Sequence, residues 1–207
     1  MKNKILIAVF LFSQLISFGQ DEKAEKILKD LSANTKSYSY MDVDFDFNFI
    51  NTSQDINESQ KGNIKINQNK FRLDLNQQLI ISDDSIQWIY LKESNELQIM
   101  EYDSQDEMIS PNKLFTIYEN GYKSQYIELK ENNHIIDLFP IESNEFKNIQ
   151  LQIDQDKIQL KKIILFDKNG GSFSYSITKL ITDKEIDENA FRFNEANYPD
   201  LEIIDLR

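Results

Sequence analysis

Met41-Asp42-Val43-Asp44-Phe45-Asp46-Phe47-Asn48-Phe49 alternates strictly between apolar and polar residues. Side chains two apart on a strand share a face. Met41, Val43, Phe45, Phe47 and Phe49 therefore line one side of a ribbon, and Asp42, Asp44, Asp46 and Asn48 line the other. No helical period fits this pattern. The aromatic side requires a cover, which is either a packed core or a cavity that holds an apolar ligand.

The 207 residues suffice for one domain with its own core. With 28% charged and 12% aromatic residues the composition is that of a globular chain, not a disordered one. Residues 1–19 read as a cleavable secretory signal peptide: Lys2 and Lys4, an apolar run from Ile5 to Phe18, then the small residues Ser17 and Gly19 before Gln20. The run is short for a membrane span. Residues 20–207 are expected to form a single domain, exported from the cytoplasm. No cysteine is present, so neither a disulfide nor a lipid on cysteine is available. The net charge is −12, and loss of residues 1–19 makes it two charges more negative. An acidic surface disfavours nucleic acid and anionic lipid headgroups.

Along the chain, Ala24, Ile27, Leu28 and Leu31 recur at helical spacing, predicting an amphipathic helix from Asp21 to about Thr35. The aromatic ribbon follows. Short alternating segments then run through Gly62–Asn67, Phe71–Leu75, Leu79–Ser82, Ile86–Leu91 and Leu97–Tyr102, with tight turns at Gln68-Asn69 and Asp83-Asp84-Ser85. Ser110 suits a helix N-cap, Pro111 the first helical position and Gly121 the position after the helix, with Leu114, Phe115 and Tyr118 on one side. This predicts a short inserted helix over Pro111–Asn120. Strands resume at Tyr126–Lys130, His134–Phe139, Ile149–Asp154, Ile158–Asp167 and Ser172–Thr182, and Asp167–Gly171 is a strong hairpin signal. Asp187–Ala190 reads as a helical turn, and Leu201–Leu206 as an extended tail. The whole is about ten strands and two main helices, mainly β with some α.

No catalytic constellation stands out. The single histidine, His134, sits at a predicted strand start and reads as a turn or strand-edge residue. With one histidine and no cysteine, a zinc site is disfavoured. There is no Gly-x-Ser-x-Gly elbow, phosphate loop or dinucleotide fingerprint. Asp42, Asp44 and Asp46 share a face, but it is the one turned to solvent. No cofactor and no metal are expected. A single antiparallel sheet with one apolar face needs a cover, and two short helices leave much of it open. A second packed sheet and a ligand cavity both satisfy the pattern.

The order of elements resembles the outer-membrane lipoprotein carrier family. Leu79-Ile-Ile-Ser-Asp-Asp-Ser-Ile-Gln-Trp-Ile-Tyr90 is similar to that family's Val-Ser-Asp-Gly-x-x-x-Trp-x-Tyr stretch. Gly62 to Asp74 resembles its first hairpin, Ser110-Pro-Asn-Lys-Leu-Phe115 its lid helix, and Ile186-Asp-Glu-Asn-Ala-Phe-Arg-Phe193 its closing turn. The family's Arg-Pro in the hairpin is missing: Asn67 and Gln68 stand near that place, and Arg72 lies at a different position.

The resemblance implies a strongly curved antiparallel sheet forming an incomplete (half) β-barrel, covered by the N-terminal helix and the lid helix. It implies a monomeric periplasmic carrier, not an enzyme. Acylated lipoproteins would come from an inner-membrane ATP-driven releasing complex and pass to an outer-membrane lipoprotein acceptor. The expected wall residues are Met41, Val43, Phe45, Phe47, Phe49, Ile64, Ile66, Phe71, Leu73, Leu75, Trp88 and Tyr90. The expected lid residues are Leu114, Phe115 and Tyr118. An acyl chain of about sixteen carbons would gain roughly 12 kcal/mol gross on burial, at about 0.8 per methylene, and association costs offset much of it. The alternatives are a lipoprotein-sensing regulatory module on the same fold and an envelope hydrolase using surface carboxylates.

Overall fold

The computed structural model describes residues 21–102, 114–184 and 187–207. Residues 1–20, with the expected signal peptide, lie outside the described residues, as do Ser110 and Pro111. Helix α1 occupies residues 21–37, two residues beyond the expected end. Ala24, Ile27, Leu28 and Leu31 form its buried stripe, as their spacing requires.

Twelve strands follow: β1 (Met41–Asn51), β2 (Ile56–Asn67), β3 (Lys70–Leu75), β4 (Gln78–Ser82), β5 (Ile86–Leu91), β6 (Glu96–Glu101), β7 (Tyr122–Lys130), β8 (Asn133–Pro140), β9 (Phe146–Asp154), β10 (Leu160–Asp167), β11 (Gly171–Thr182) and β12 (Glu202–Asp205). They form one sheet in the order β12-β6-β5-β4-β3-β2-β1-β11-β10-β9-β8-β7. β7 and β12 are its edges and do not pair with each other, so the curled sheet is an open half-barrel. The turns follow local chemistry. Asp83 Oδ1 accepts from the Ser85 and Ile86 amides, and Asp167 Oδ1 accepts from those of Asn169 and Gly171.

Register shifts help the sheet to curl. Asp44 pairs with Lys179 and Phe45 with Ile177, which leaves Thr178 as an extra residue. Its hydroxyl donates to the Asp44 carbonyl at 3.0 Å. Similar shifts fall at Ile127 in β7 and Lys161 in β10. Bulges bend a strand and increase its twist.

Two elements differ from expectation. From residue 114 the inserted segment is a single 3₁₀ turn at 114–115 followed by hydrogen-bonded turns, not a helix to Asn120. Consecutive β-branched residues, Thr116 and Ile117, disfavour helix there, and Gly121 leaves the segment at φ +84°. The tail is also not part of an antiparallel meander. β12 pairs in parallel with β6, Ile203 beside Leu97. It reaches that edge after two 3₁₀ turns, Glu188–Phe191 and Glu195–Asn197.

The apolar side chains form three clusters. One joins α1 to β7–β10 through Ile136, Ile149, Leu151 and Ile163. A second joins Met41, Val43 and Phe45 to Ile64, Ile66, Phe71 and Leu73. Both lie on the face that α1 covers, the helix face. Phe115 packs against both and joins them. The third comprises Leu79, Ile81, Tyr90, Leu97 and Ile99. It lies on the outer face, under Phe193, Tyr198 and Leu201 of the tail.

Candidate functional site

The aromatic ribbon runs down the middle of the sheet, between β2 and β11. Phe47 sits opposite Gln60 on one side and Tyr175 on the other. Beyond Tyr175 the same row continues through Ile163, Leu151 and Ile136 to Tyr126. Antiparallel pairing carries face parity from strand to strand, so one apolar row crosses half the sheet.

α1 covers the β8–β10 end of this row, and the 3₁₀ turn brings Leu114 and Phe115 over its middle. Between this turn and the sheet lies an apolar cavity of about 190 Å³. Val43, Phe45, Phe47, Gln60, Ile64, Leu73, Leu75, Leu114, Phe115, Leu160, Ile163, Tyr175 and Ile177 line it. Gly62 faces Phe45 across the ladder. A Cβ there would meet the Phe45 ring tip and come within 2.9 Å of Leu75 Cδ2. Glycine thus lets the ring lie against β2.

Polar contacts fix the cover to the helix. Ser32 Oγ donates to Glu119 Oε1 at 2.6 Å, and Lys36 Nζ donates to Glu119 Oε2 at 2.9 Å. Burial raises the Glu119 pKa, but these two hydrogen bonds and the Lys36 charge outweigh it and hold the carboxyl below its ordinary value. The C-terminal end of α1 is held by Asn34 Nδ2, which donates to the Lys157 and Ile158 carbonyls. Near residue 121, Tyr118 is buried, and burial pushes its hydroxyl up to about 12.

Of the expected wall, Val43, Phe45, Phe47, Ile64, Leu73 and Leu75 line the cavity, as do Leu114 and Phe115 of the expected lid. Met41, Ile66 and Phe71 share the helix face but do not line it. They pack in one cluster with Val43 and Ile64, where Phe71 meets Tyr102 edge-on at 5.9 Å. Phe49 stacks on Phe173 at 4.5 Å outside the cavity lining. Tyr118 turns to a polar groove between α1 and the start of β7.

Trp88 and Tyr90 require a correction, because they lie on the outer face. Asp42 pairs with Lys65, Lys65 with Arg72, Arg72 with Ile81, and Ile81 with Trp88. Trp88 and Tyr90 therefore share the side of Asp42, not that of Phe45. Tyr90 packs against Tyr198 at 4.5 Å and Phe193 at 5.5 Å, and its hydroxyl donates to Asn95 Oδ1 at 3.0 Å. Arg72 also points outward, with Nη1 3.5 Å from the Ala190 carbonyl.

Gln60, Leu160, Ile163, Tyr175 and Ile177 complete the lining without having been singled out. The alternation Phe173-Ser-Tyr175-Ser-Ile177 repeats the pattern of β1 and carried the signal for part of this wall. His134 is buried on the helix face, not at an exposed edge. Its Nδ1 lies 3.2 Å from the Tyr126 hydroxyl, and the Lys23 ammonium sits 3.7 Å from the centre of the Tyr126 ring. Burial first, then the Lys23 charge, lowers the His134 pKa. On the outer face, Asn63 Nδ2 donates to Asp42 Oδ1 and Asp44 Oδ1, each at 2.7 Å. Among the described residues, no group of three or more His, Cys, Asp or Glu is placed to hold a metal ion. Nor is any helix among them long and apolar enough to cross a membrane.

Known proteins were compared with this geometry in hand. An uncharacterized conserved protein from Thermus thermophilus superposes with a TM-score of 0.58 at 12% identity, covering 88% of this chain and 99% of its own. A putative outer membrane lipoprotein-sorting protein domain from Vibrio parahaemolyticus gives 0.47 at 12% identity, covering 83% and 97%. A LolA superfamily protein from Nitrosomonas europaea gives 0.47 at 11% identity, covering 82% and 97%. The first of these shows the fold. No curated protein matches in sequence. The family model for outer membrane lipoprotein carrier protein LolA matches residues 36–194, which takes in every strand but β12, the 3₁₀ turn over the cavity and Phe193. The chain belongs to the outer membrane lipoprotein carrier protein LolA family.

Proposed function

We propose that this protein is a periplasmic carrier that shields the acyl chains of lipoproteins and moves them from the inner to the outer membrane. Residues 1–19 serve as the cleaved signal and residues 20–207 as the single carrier domain. Cargo comes from an inner-membrane ATP-driven releasing complex and passes to an outer-membrane acceptor, and the protein performs no chemistry on it. The observation that carries this reading is the apolar cavity between Phe47 and Phe115 in a chain of this family.

The cavity supports a gated carrier. At about 190 Å³ it is smaller than the ~300–1,000 Å³ of pockets that hold drug-sized ligands. A long acyl chain enters only if Leu114 and Phe115 move away from the sheet. Contacts from phenylalanine, leucine and isoleucine are shape-tolerant and non-directional, which suits a cargo that must be released.

Native mass spectrometry of the protein purified from cell envelopes tests the proposal. A bound acyl lipid or lipoprotein is the expected result. An empty protein that also fails to bind a neutral fluorescent acyl ester overturns it.

A further inference from the structure

Among the described residues, two in the cavity lining carry polar side-chain groups, Tyr175 with its hydroxyl and Gln60 with its carboxamide. They flank Phe47, one on β11 and the other on β2, at paired register positions. Among the described residues, neither side chain has a hydrogen-bond partner. The Tyr175 hydroxyl is an O–H donor at neutral pH, as any tyrosine is, and burial raises its pKa further. The Gln60 amide brings two more N–H donors. In a ligand pocket, a few convergent polar groups on an apolar wall fix the ligand's orientation.

The charge of the lining narrows the ligand further. Among the described residues, no lysine, arginine or histidine lines the cavity. An ionised carboxylate there would lose its water and gain no counter-charge, which is costly. A neutral carbonyl loses less and accepts from both donors.

We infer that the ligand presents a neutral carbonyl, the ester or amide end of an acyl chain, to the Tyr175 hydroxyl and the Gln60 amide. Its hydrocarbon lies against Ile64, Leu73, Leu114 and Phe115. This rests on the carrier reading and names the ligand's chemical class: acyl esters and amides are bound in preference to free fatty acids or plain hydrocarbons. Tyr175 and Gln60 are then specificity-determining residues.

Displacement of a neutral naphthylamine dye by monolaurin, laurate and dodecane tests it. At neutral pH monolaurin is expected to bind more tightly than laurate. Tyr175→Phe keeps the ring and removes the donor. It is expected to weaken monolaurin about two- to tenfold, as for loss of one neutral hydrogen bond, and to leave dodecane unchanged. Gln60→Leu, on a different strand, is expected to do the same. Three results overturn the inference: laurate matching monolaurin at neutral pH, Tyr175→Phe leaving monolaurin unchanged, or that variant weakening dodecane as much as monolaurin. If none of the three compounds displaces the dye, the carrier reading itself fails.

Discussion

Gly62 stands across the β1–β2 ladder from Phe45, and the Phe45 ring occupies the space that a side chain at position 62 would need. Glycine in a strand interior normally weakens the strand. Here it makes room for the ring that forms the floor of the cavity. Gly62→Ala pushes Phe45 into the cavity or splays β2. Overpacking of this kind costs about 1–3 kcal/mol, to be read from the urea midpoint. Adding Phe45→Leu should restore most of that loss. No recovery in the double variant would show that the ring is not the obstacle.

A charge at Phe47 distinguishes a cavity wall from a packed core. Phe47 lines the cavity and is half-buried, whereas Leu151, three strands further along the same row, is fully buried. Phe47→Glu is expected to abolish binding of a fluorescent fatty acid with a modest loss of stability. Leu151→Glu places a carboxylate where no water reaches and should cost several kcal/mol. Equal losses in the two variants would mean that the interior at Phe47 is dry and filled.

Tyr90 on the outer face gives the opposite contrast. Tyr90→Ala removes a ring packed on Phe193 and Tyr198 and should destabilise the fold by about 3–5 kcal/mol. Ligand affinity, measured well below the unfolding transition, should not change. A comparable loss of affinity would return Tyr90 to the cavity wall.

That contrast shows where sequence reasoning stops. Within β1 the alternation from Met41 to Phe49 is strict, and the ribbon, its two faces and its central place in the wall follow from it. In β4, by contrast, Leu79-Ile-Ile is apolar on both faces. Leu79 and Ile81 go outward, and Ile80 packs inward with Leu73. Alternation sets parity within a strand, while pairing register sets it between strands. A run such as Leu79–Ile81 erases the signal just before Trp88 and Tyr90. The parallel β12 was hidden for a related reason. Its partner β6 is far away in sequence, and no turn residue marks the pairing. The 3₁₀ turn at 114–115 kept its apolar residues where expected, because Leu114 and Phe115 need burial whatever the backbone form.

The acidic face of β1 should be dispensable for binding. Asp42 and Asp44 are bridged by one Asn63 amide on the side away from the cavity. Asp42→Asn, Asp44→Asn and Asp46→Asn together are expected to leave fatty-acid affinity within about twofold of wild type, since well-separated sites act independently. Loss of a measurable hydrolytic activity in the triple variant would instead favour an enzyme.

Acid should loosen the cover over the cavity. Glu119 ties the segment after Phe115 to Ser32 and Lys36 of α1, and these partners hold its carboxyl below the ordinary value of about 4.3. A depressed folded-state pKa gives stability that is present above the unfolded value and lost as pH falls through the folded one. The Glu119 side chain is 19% exposed and that of Lys36 is 61% exposed, so solvent limits the gain to about 1 kcal/mol or less. Amide hydrogen exchange over residues 114–118 should therefore speed up as pH drops below ~4, after correction for intrinsic rates. Glu119→Gln loses the charge but keeps an acceptor, so it should exchange faster at neutral pH and respond less to acid. If acid accelerates exchange equally in Glu119→Gln and wild type, some group other than Glu119 governs the cover.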